Sequence, residues 1–259
     1  MQLVDASPWP EGCCGAVSLT FDDGRASQLA HAIPILEEHG LTGTFYLNPR
    51  GATEAEWRER LRPWVAVQAK GHEIGNHSLS HLCSQAHRPH RSAVPRALET
   101  ATLEEVEADV LQAERRLDAG LPAPAGQRRT FGYPCYHEHV GEGPTRQSYV
   151  PIIARHFLAG RGRGEFGDNY PETCDLHYLW SWNVELQHGA MLVGLAERAA
   201  LGRWVILTFH GIGDSELTNT AGSLRELAAF LARSRPRLWT APLGTVAQRI
   251  AAWRASATA

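Results

Sequence analysis

The sequence predicts an α/β fold built on parallel strands, in a single domain over residues 1–259. Three observations predict it. Short apolar, β-branched runs alternate from end to end with segments of helical spacing. The polar clusters sit just after apolar strands, at Asp22-Asp23, His77/His81, Pro134-Cys135 and His210, as on the active rim of a parallel α/β barrel. At 259 residues, 43% of them apolar, the chain can also bury a full core.

The elements follow in order. Ala16-Val17-Ser18-Leu19-Thr20-Phe21 has the length and residue types of a buried strand, and Asp22-Asp23-Gly24 follows it directly. Ala26 to His39 carries Leu29, Ile33 and Leu36 at helical spacing and stops at Gly40. Gly43 to Leu47 reads as a second strand. Thr53-Glu54-Ala55-Glu56 opens a helix by capping-box spacing, and the pattern runs to Lys70-Gly71. His72 to Gly75 is a short third strand leading into Asn76-His77-Ser78-Leu79-Ser80-His81. Residues 84–99 are polar, basic and proline-containing, and read as an inserted surface loop. Thr102-Leu103-Glu104-Glu105 caps a long amphipathic helix through Leu117. Thr130 to Cys135 is a strand-to-loop transition, Tyr149 to Phe157 a helix, Tyr178 to Val184 a strand and Ala190 to Leu201 a helix. Trp204 to His210 is the plainest strand. Ser223 to Arg233 and Leu243 to Trp253 are helices around the strand Leu238-Trp239-Thr240.

Composition excludes several classes. A net charge of −3 without a basic block gives no case for nucleic acid. No apolar run is long enough to span a membrane. Met1 to Gly12 lacks the basic and apolar regions of a signal peptide, which predicts a cytoplasmic protein. The five cysteines, at 13, 14, 83, 135 and 174, are odd in number and lack framework spacing. They read as mostly reduced thiols with no CxxC metal site.

Taken alone, each cluster supports two readings. Asp22-Asp23-Gly24 is a solvated turn or a pair of buried carboxylates that requires a cation or divergent pKa values. His77 and His81, four apart, are surface residues or, on a helical turn, chelators of one ion. With a carboxylate from a neighbouring strand end they form a two-His-one-Asp set suited to a Zn-type hydrolytic ion, and nonhaem iron uses such a set too. His210 shares a strand face with Ile206 and Thr208, and suits a general acid, a metal ligand or a hydrogen-bonded core group.

Thr20-Phe21-Asp22-Asp23-Gly24, then His77-Ser78-Leu79-Ser80-His81, then a strand ending in His210, resembles the NodB-homology polysaccharide deacetylases of carbohydrate esterase family 4. The resemblance covers nearly the whole chain from about Val17. It implies a distorted (β/α)7 barrel and metal-dependent removal of acetyl groups from N-acetylated or O-acetylated carbohydrates. It implies Asp22 as general base, Asp23, His77 and His81 as metal ligands, and His210 as general acid. The backbone N–H of Cys135 follows the motif proline and is implied as an oxyanion donor. The implied ion is Zn, ahead of Co, Ni or Mn, and the implied partner an acetylated sugar.

The chain departs from the family pattern in its third, fourth and fifth motifs. Gly132-Tyr133-Pro134-Cys135 stands where the family has Arg-x-Pro-aromatic, so the arginine that holds the base is missing; an arginine from elsewhere, Arg161 or Arg163 for instance, is a candidate substitute. Trp182-Asn183-Val184-Glu185 loosely matches the fourth motif, which leaves Glu185 or Asp175 to orient His210. Thr208 occupies the leucine place of the fifth. These changes predict a substrate pocket unlike that of a chitin or peptidoglycan deacetylase. They keep two other classes open: an amidohydrolase of a non-sugar C–N bond, and a carbohydrate-binding barrel of little activity. Gly162-x-Gly164-x-x-Gly167 matches a dinucleotide fingerprint by letter but precedes no helix, so it reads as a loop. Cys135 lacks a Cys-His signature and reads as a structural or pocket-lining thiol. His87 and His90 read as part of a solvated face, or as contacts for an anionic substrate.

Overall fold

The computed structural model describes residues 7–85, 97–164, 167–214 and 216–257. The start of the chain and most of the 84–99 loop, with His87 and His90, lie outside the described residues.

All seven residues of strand β1 (Gly15–Phe21) are buried, and its two faces differ in chemistry. Val17, Leu19 and Phe21 pack outward into a cluster with the surrounding helices. The Phe21 ring stacks on Phe45 at 4.8 Å and on Phe209 at 5.2 Å, across both neighbouring strands. The other face, Ala16, Ser18 and Thr20, continues to Asp22. Its hydroxyls are satisfied across the interior: Thr20 Oγ1 lies 3.1 Å from Thr208 Oγ1, Thr208 donates to Ser181, and Trp204 Nε1 donates to Ser18 Oγ. A buried hydroxyl is tolerated when it is paired this way.

The strands that follow are β2 (Thr44–Leu47), β3 (Glu73–Asn76), β4 (Phe131–Gly132), β5 (Gly160–Arg161), β6 (Trp182–Asn183), β7 (Trp204–Phe209) and β8 (Leu238–Thr240). They run parallel in the order β5-β4-β3-β2-β1-β7-β6. A bridge from Leu179, just before β6, to Arg161 in β5 joins the two ends of that order into a ring. The ring is distorted because β8 pairs with the first half of β1 while β2 pairs only with Thr20 and Phe21. This is the NodB-like (β/α) barrel that the sequence implied.

Helices α1 (Ile33–Glu38), α2 (Glu54–Leu61), α3 (Trp64–Ala69), α4 (Leu103–Gly120), α5 (Val150–His156), α6 (Gly189–Glu197), α7 (Ala221–Arg233) and α8 (Leu243–Ala257) complete the fold. Capping boxes form at Thr53/Glu56 and Thr102/Glu105, as their spacing predicts. Three expected elements differ. The helix expected over 53–70 breaks between α2 and α3 at Pro63, which has no N–H to continue it. The helix expected over 26–39 opens as a π-helical turn, Gln28–Ala32, before Pro34 in the first turn of α1. The strand expected over 178–184 shrinks to the Leu179 bridge and β6.

Leu243, Val246, Ala247 and Ile250 of α8 cluster with Ala16, Trp204 and Ile206, near the strand beginnings. That apolar plug closes one end of the barrel. The strand ends at the opposite rim carry the polar clusters.

Candidate active site

Asp22 continues the inner face of β1 and is buried. Asp23 takes a left-handed backbone (φ 73°), which turns the chain immediately after the strand. The buried Gln28 amide donates to the carbonyls of both Asp22 (2.6 Å) and His210 (2.8 Å). It ties the ends of β1 and β7 together.

His77 follows β3, but the segment to His81 is an irregular loop, not the helical turn that would present both rings on one face. Ser78 and His81 have positive φ, at 60° and 55°. Side chains from elsewhere hold the loop. Asn48 Nδ2 donates to the carbonyls of His77 and Ser78, and Asn76 Oδ1 accepts from Ser78 N–H. Asp109 of α4 accepts from the N–H groups of Leu79 and Ser80. The two rings still converge, with centroids 4.8 Å apart.

His77 Nε2 lies 3.8 Å from Asp23 Oδ1, and His81 Nε2 lies 3.4 Å from the same oxygen. One donor atom from each of Asp23, His77 and His81 falls within 4.8 Å of the others. His77 Nδ1 lies 2.7 Å from the Gly132 carbonyl, so its proton is placed there and the lone pair left on Nε2. That Nε2 is buried without a hydrogen-bond partner. Burial pushes the His77 pKa down, and burial with the neighbouring His77 pushes His81 down to about 3. Neutral imidazoles, a carboxylate and an orphaned buried nitrogen fit a divalent cation.

Arg161 is fully buried, and its guanidinium donates to Asp22 Oδ1. It lies 5.0 Å from the Tyr46 ring centroid and 5.4 Å from that of Tyr136. Gly132 is its register partner on β4. A Cβ at 132 would come 2.8 Å from Tyr46 Cγ and 3.0 Å from Arg161 Nη2. The glycine thus makes the room that the guanidinium uses. Burial would raise the Asp22 pKa, but Arg161, with His77 and His210, outweighs it and holds the carboxyl below its ordinary value.

His210 follows β7. Its Nε2 lies 3.9 Å from Asp22 Oδ2, and its Nδ1 lies 2.7 Å from Glu185 Oε1. Glu185 is therefore the acidic partner. Asp175 instead accepts from the His177 N–H and stands mostly exposed. Burial lowers the His210 pKa, yet Glu185 and Asp22 more than offset it, and the net shift is upward.

Cys135 corrects the reading of free thiols: it is disulfide-bonded to Cys83, across 52 residues. The expectation of mostly reduced thiols therefore fails at two of the five cysteines. Cys13, Cys14 and Cys174 are free. The bond connects the His77–His81 loop to the turn after β4, two segments whose proximity no local spacing reveals. His81, Cys83 and Cys135 also lie close together, but the bonded sulfurs are not thiolate ligands. The Cys135 N–H has no hydrogen-bond acceptor among the described residues.

The 162–167 glycines have another explanation than a nucleotide. Gly162, Gly164 and Gly167 each lie against an aromatic side chain, from Tyr178, Trp180 and Trp182 respectively. The Asp168–Asn169 strand follows, not a helix. Gln28, Asn48, Asn76 and Asp109 hold the site and carried no signal in sequence, because each acts on backbone distant in the chain.

Residues 11–135 match the polysaccharide deacetylase family model. The fold is similar to that of a "putative polysaccharide deacetylase" from Mycobacterium smegmatis (TM-score 0.63, 18% identity, 95% of this chain and 94% of that one). It is also similar to the peptidoglycan deacetylase PdaC from Bacillus subtilis (TM-score 0.53, 13% identity, 96% and 97%). A third neighbour is a carbohydrate esterase family 4 pseudoenzyme from Bacillus anthracis (TM-score 0.55, 16% identity, 90% of this chain). Of that longer protein the chain spans 65%. The family model thus matches just under half of the chain, and the barrel it shares with these structures extends over nearly all of its length.

Proposed function

We propose that this protein is a metal-dependent hydrolase that removes an acetyl group from an N-acetylated or O-acetylated carbohydrate. The observation that carries the reading is the convergence, on one rim, of the buried Asp22–Arg161 pair, the Asp23/His77/His81 trio and the His210–Glu185 pair. Asp23, His77 and His81 would hold the ion, with Zn first in order and Co, Ni or Mn as alternatives. Such an ion supplies Lewis acidity and lowers the pKa of water in the site.

The protein's own groups carry the proton transfers. Arg161 occupies Asp22 Oδ1, so Oδ2 is the oxygen that takes the proton of the attacking water. The low pKa of Asp22 keeps it ionised for this task. The Cys135 N–H is a donor for the carbonyl oxygen as it gains charge. Protonated His210, oriented through Nδ1 by Glu185, delivers a proton from Nε2 to the departing nitrogen or oxygen. Acetate and the free amine or alcohol are then released.

The pseudoenzyme among the structural neighbours favours keeping a second reading, a carbohydrate-binding barrel without turnover. Acetate release from a panel of N- and O-acetylated sugars, with metal stripped and restored, separates the two. Asp22→Asn is expected to keep the metal and lose turnover. Turnover that survives this change removes Asp22 as the base. Metal binding without acetate from any sugar removes the carbohydrate deacetylase reading, and points to another C–N bond or to binding alone.

A further inference from the structure

One buried polar atom beside these groups is used by none of them. The Tyr136 hydroxyl is shielded from solvent and has no hydrogen-bond partner among the described residues. Buried hydroxyls are nearly always paired, because an unpaired one disfavours folding. Its surroundings are those of the site. The ring lies 5.4 Å from the Arg161 guanidinium carbon, and the charges acting on the hydroxyl are Asp22, Arg161, Glu185 and Arg163. The ring thus stands beside the guanidinium that holds the Asp22 carboxylate. Asp22 Oδ1 is engaged by Arg161, and Glu185 Oε1 faces His210 Nδ1.

The backbone that carries Tyr136 is strained. Cys135 and Tyr136 are consecutive non-glycine residues in the left-handed region, with φ 51° and 62°. Strain of this kind persists only where surrounding contacts enforce it, and it concentrates at functional sites. Here Tyr136 N–H donates to the Tyr133 carbonyl (3.0 Å), His137 N–H donates to the Pro134 carbonyl (3.1 Å), and the disulfide anchors Cys135 to the His81 loop. A single pinned turn therefore bears two donors without acceptors among the described residues, the Cys135 N–H and the Tyr136 O–H.

We propose that Tyr136 is a further catalytic residue whose hydroxyl donates a hydrogen bond to the oxygen of the substrate's scissile carbonyl, sharing that oxygen with the Cys135 N–H. This rests on the deacetylase reading above. The phenol forms and breaks no covalent bond. Burial, with Asp22 and Glu185 adding to it, holds the phenol pKa well above its ordinary value, so the proton stays on Tyr136 throughout. The ligand chemistry is a small carbonyl or carboxylate oxygen, found in an acetamide, an acetate ester or free acetate.

Tyr136→Phe deletes the hydroxyl and keeps the ring against Arg161. Its melting temperature is expected to equal or exceed that of the parent protein, because the deleted atom has no partner to lose. In the Zn-loaded protein, kcat for acetate release from triacetylchitotriose is expected to fall about 100-fold, with KM changed less than about threefold. Acetate affinity of the Co(II)-loaded protein, read from the visible spectrum, is expected to fall about tenfold; this readout needs no turnover. A lowered melting temperature makes the hydroxyl structural and overturns the proposal. So does parental kcat with parental acetate affinity, or an absence of acetate binding in the parent. If the parent binds acetate but hydrolyses no acetylated sugar, the deacetylase reading fails. Weaker acetate binding by Tyr136→Phe then still upholds the hydroxyl as a carbonyl-oxygen donor.

Discussion

Gly132 and Arg161 face each other across adjacent parallel strands, and the guanidinium of one uses the space that the other leaves without a side chain. Gly132→Ala would place a methyl 2.8 Å from Tyr46 Cγ, 3.0 Å from Arg161 Nη2 and 3.1 Å from His77 Nδ1. Overpacking of this kind costs about 1–3 kcal/mol. Urea denaturation and a metal titration are expected to show lower stability and weaker binding together, since His77 is among the groups displaced. Unchanged values in both would mean that the barrel interior yields without effect.

Arg161→Ala removes the cation from a carboxylate that is almost wholly buried. Leaving one member of such a pair behind typically costs about 3–5 kcal/mol. The variant is expected to unfold at markedly lower urea, and a folded remnant to turn over slowly because Asp22 loses both its charge partner and its orientation. Exposed Arg163 accepts the Ser181 N–H at its backbone carbonyl, a bond that does not involve its side chain, so it is the control: Arg163→Ala should leave stability within about 0.5 kcal/mol.

Reduction of the Cys83–Cys135 bond opens a loop of 52 residues. Chain-entropy reasoning gives about 4 kcal/mol for a loop of this size, and measured losses run about 2–5 kcal/mol. Denaturation with and without a dithiol is expected to differ by that amount, and Cys83→Ser should reproduce the reduced value. A dithiol-insensitive midpoint in a protein confirmed as reduced would contradict this.

The upward shift of His210 makes a signed prediction about pH. A histidine with a raised folded pKa adds stability that is complete below the unfolded value of about 6.5, and that is lost as pH rises through the folded pKa. Turnover that needs protonated His210 declines over the same alkaline range. Glu185→Gln removes the nearest charge favouring the imidazolium, so the alkaline limb of the rate profile should move to lower pH. A limb that stays in place would assign it to another group.

The strand ends of this fold were legible in the sequence because each apolar run stops abruptly at chemistry-bearing residues, as Phe21 does at Asp22 and Phe209 at His210. Those boundaries also brought Asp22, Asp23, His77, His81 and His210 to one rim. The geometry of the histidine loop was not legible. It depends on Asn48, Asn76 and Asp109, whose hydrogen bonds join segments about 30 residues apart and leave no periodic trace. Asn76 bonds Ser78 locally, but its amide also reaches Glu114 on α4.

The choice between Arg161 and Arg163 was open for a similar reason. Two residues apart, both would share a face of one continuous strand, but the strand ends at Arg161, which pairs with Gly132 and is buried, while Arg163 lies beyond it and is exposed. The disulfide was hidden by separation: an odd cysteine count suggested thiols, whereas two of the five are brought together by β4 packing beside β3. Pro63, by contrast, was a local signal. The helical spacing on either side of it was read as one helix, and the missing N–H divides it.

The plug of Leu243, Val246 and Ile250 against Ala16 and Trp204 makes the barrel a cup and not a tube. On the deacetylase reading proposed above, a substrate would reach Asp22 over the rim and its product would leave the same way. A long polymer lying across that mouth would trap a small product beneath it. Release would then wait on the polymer's lifting or sliding, and the length of the substrate, more than the bond being cut, would set the pace of repeated turnover.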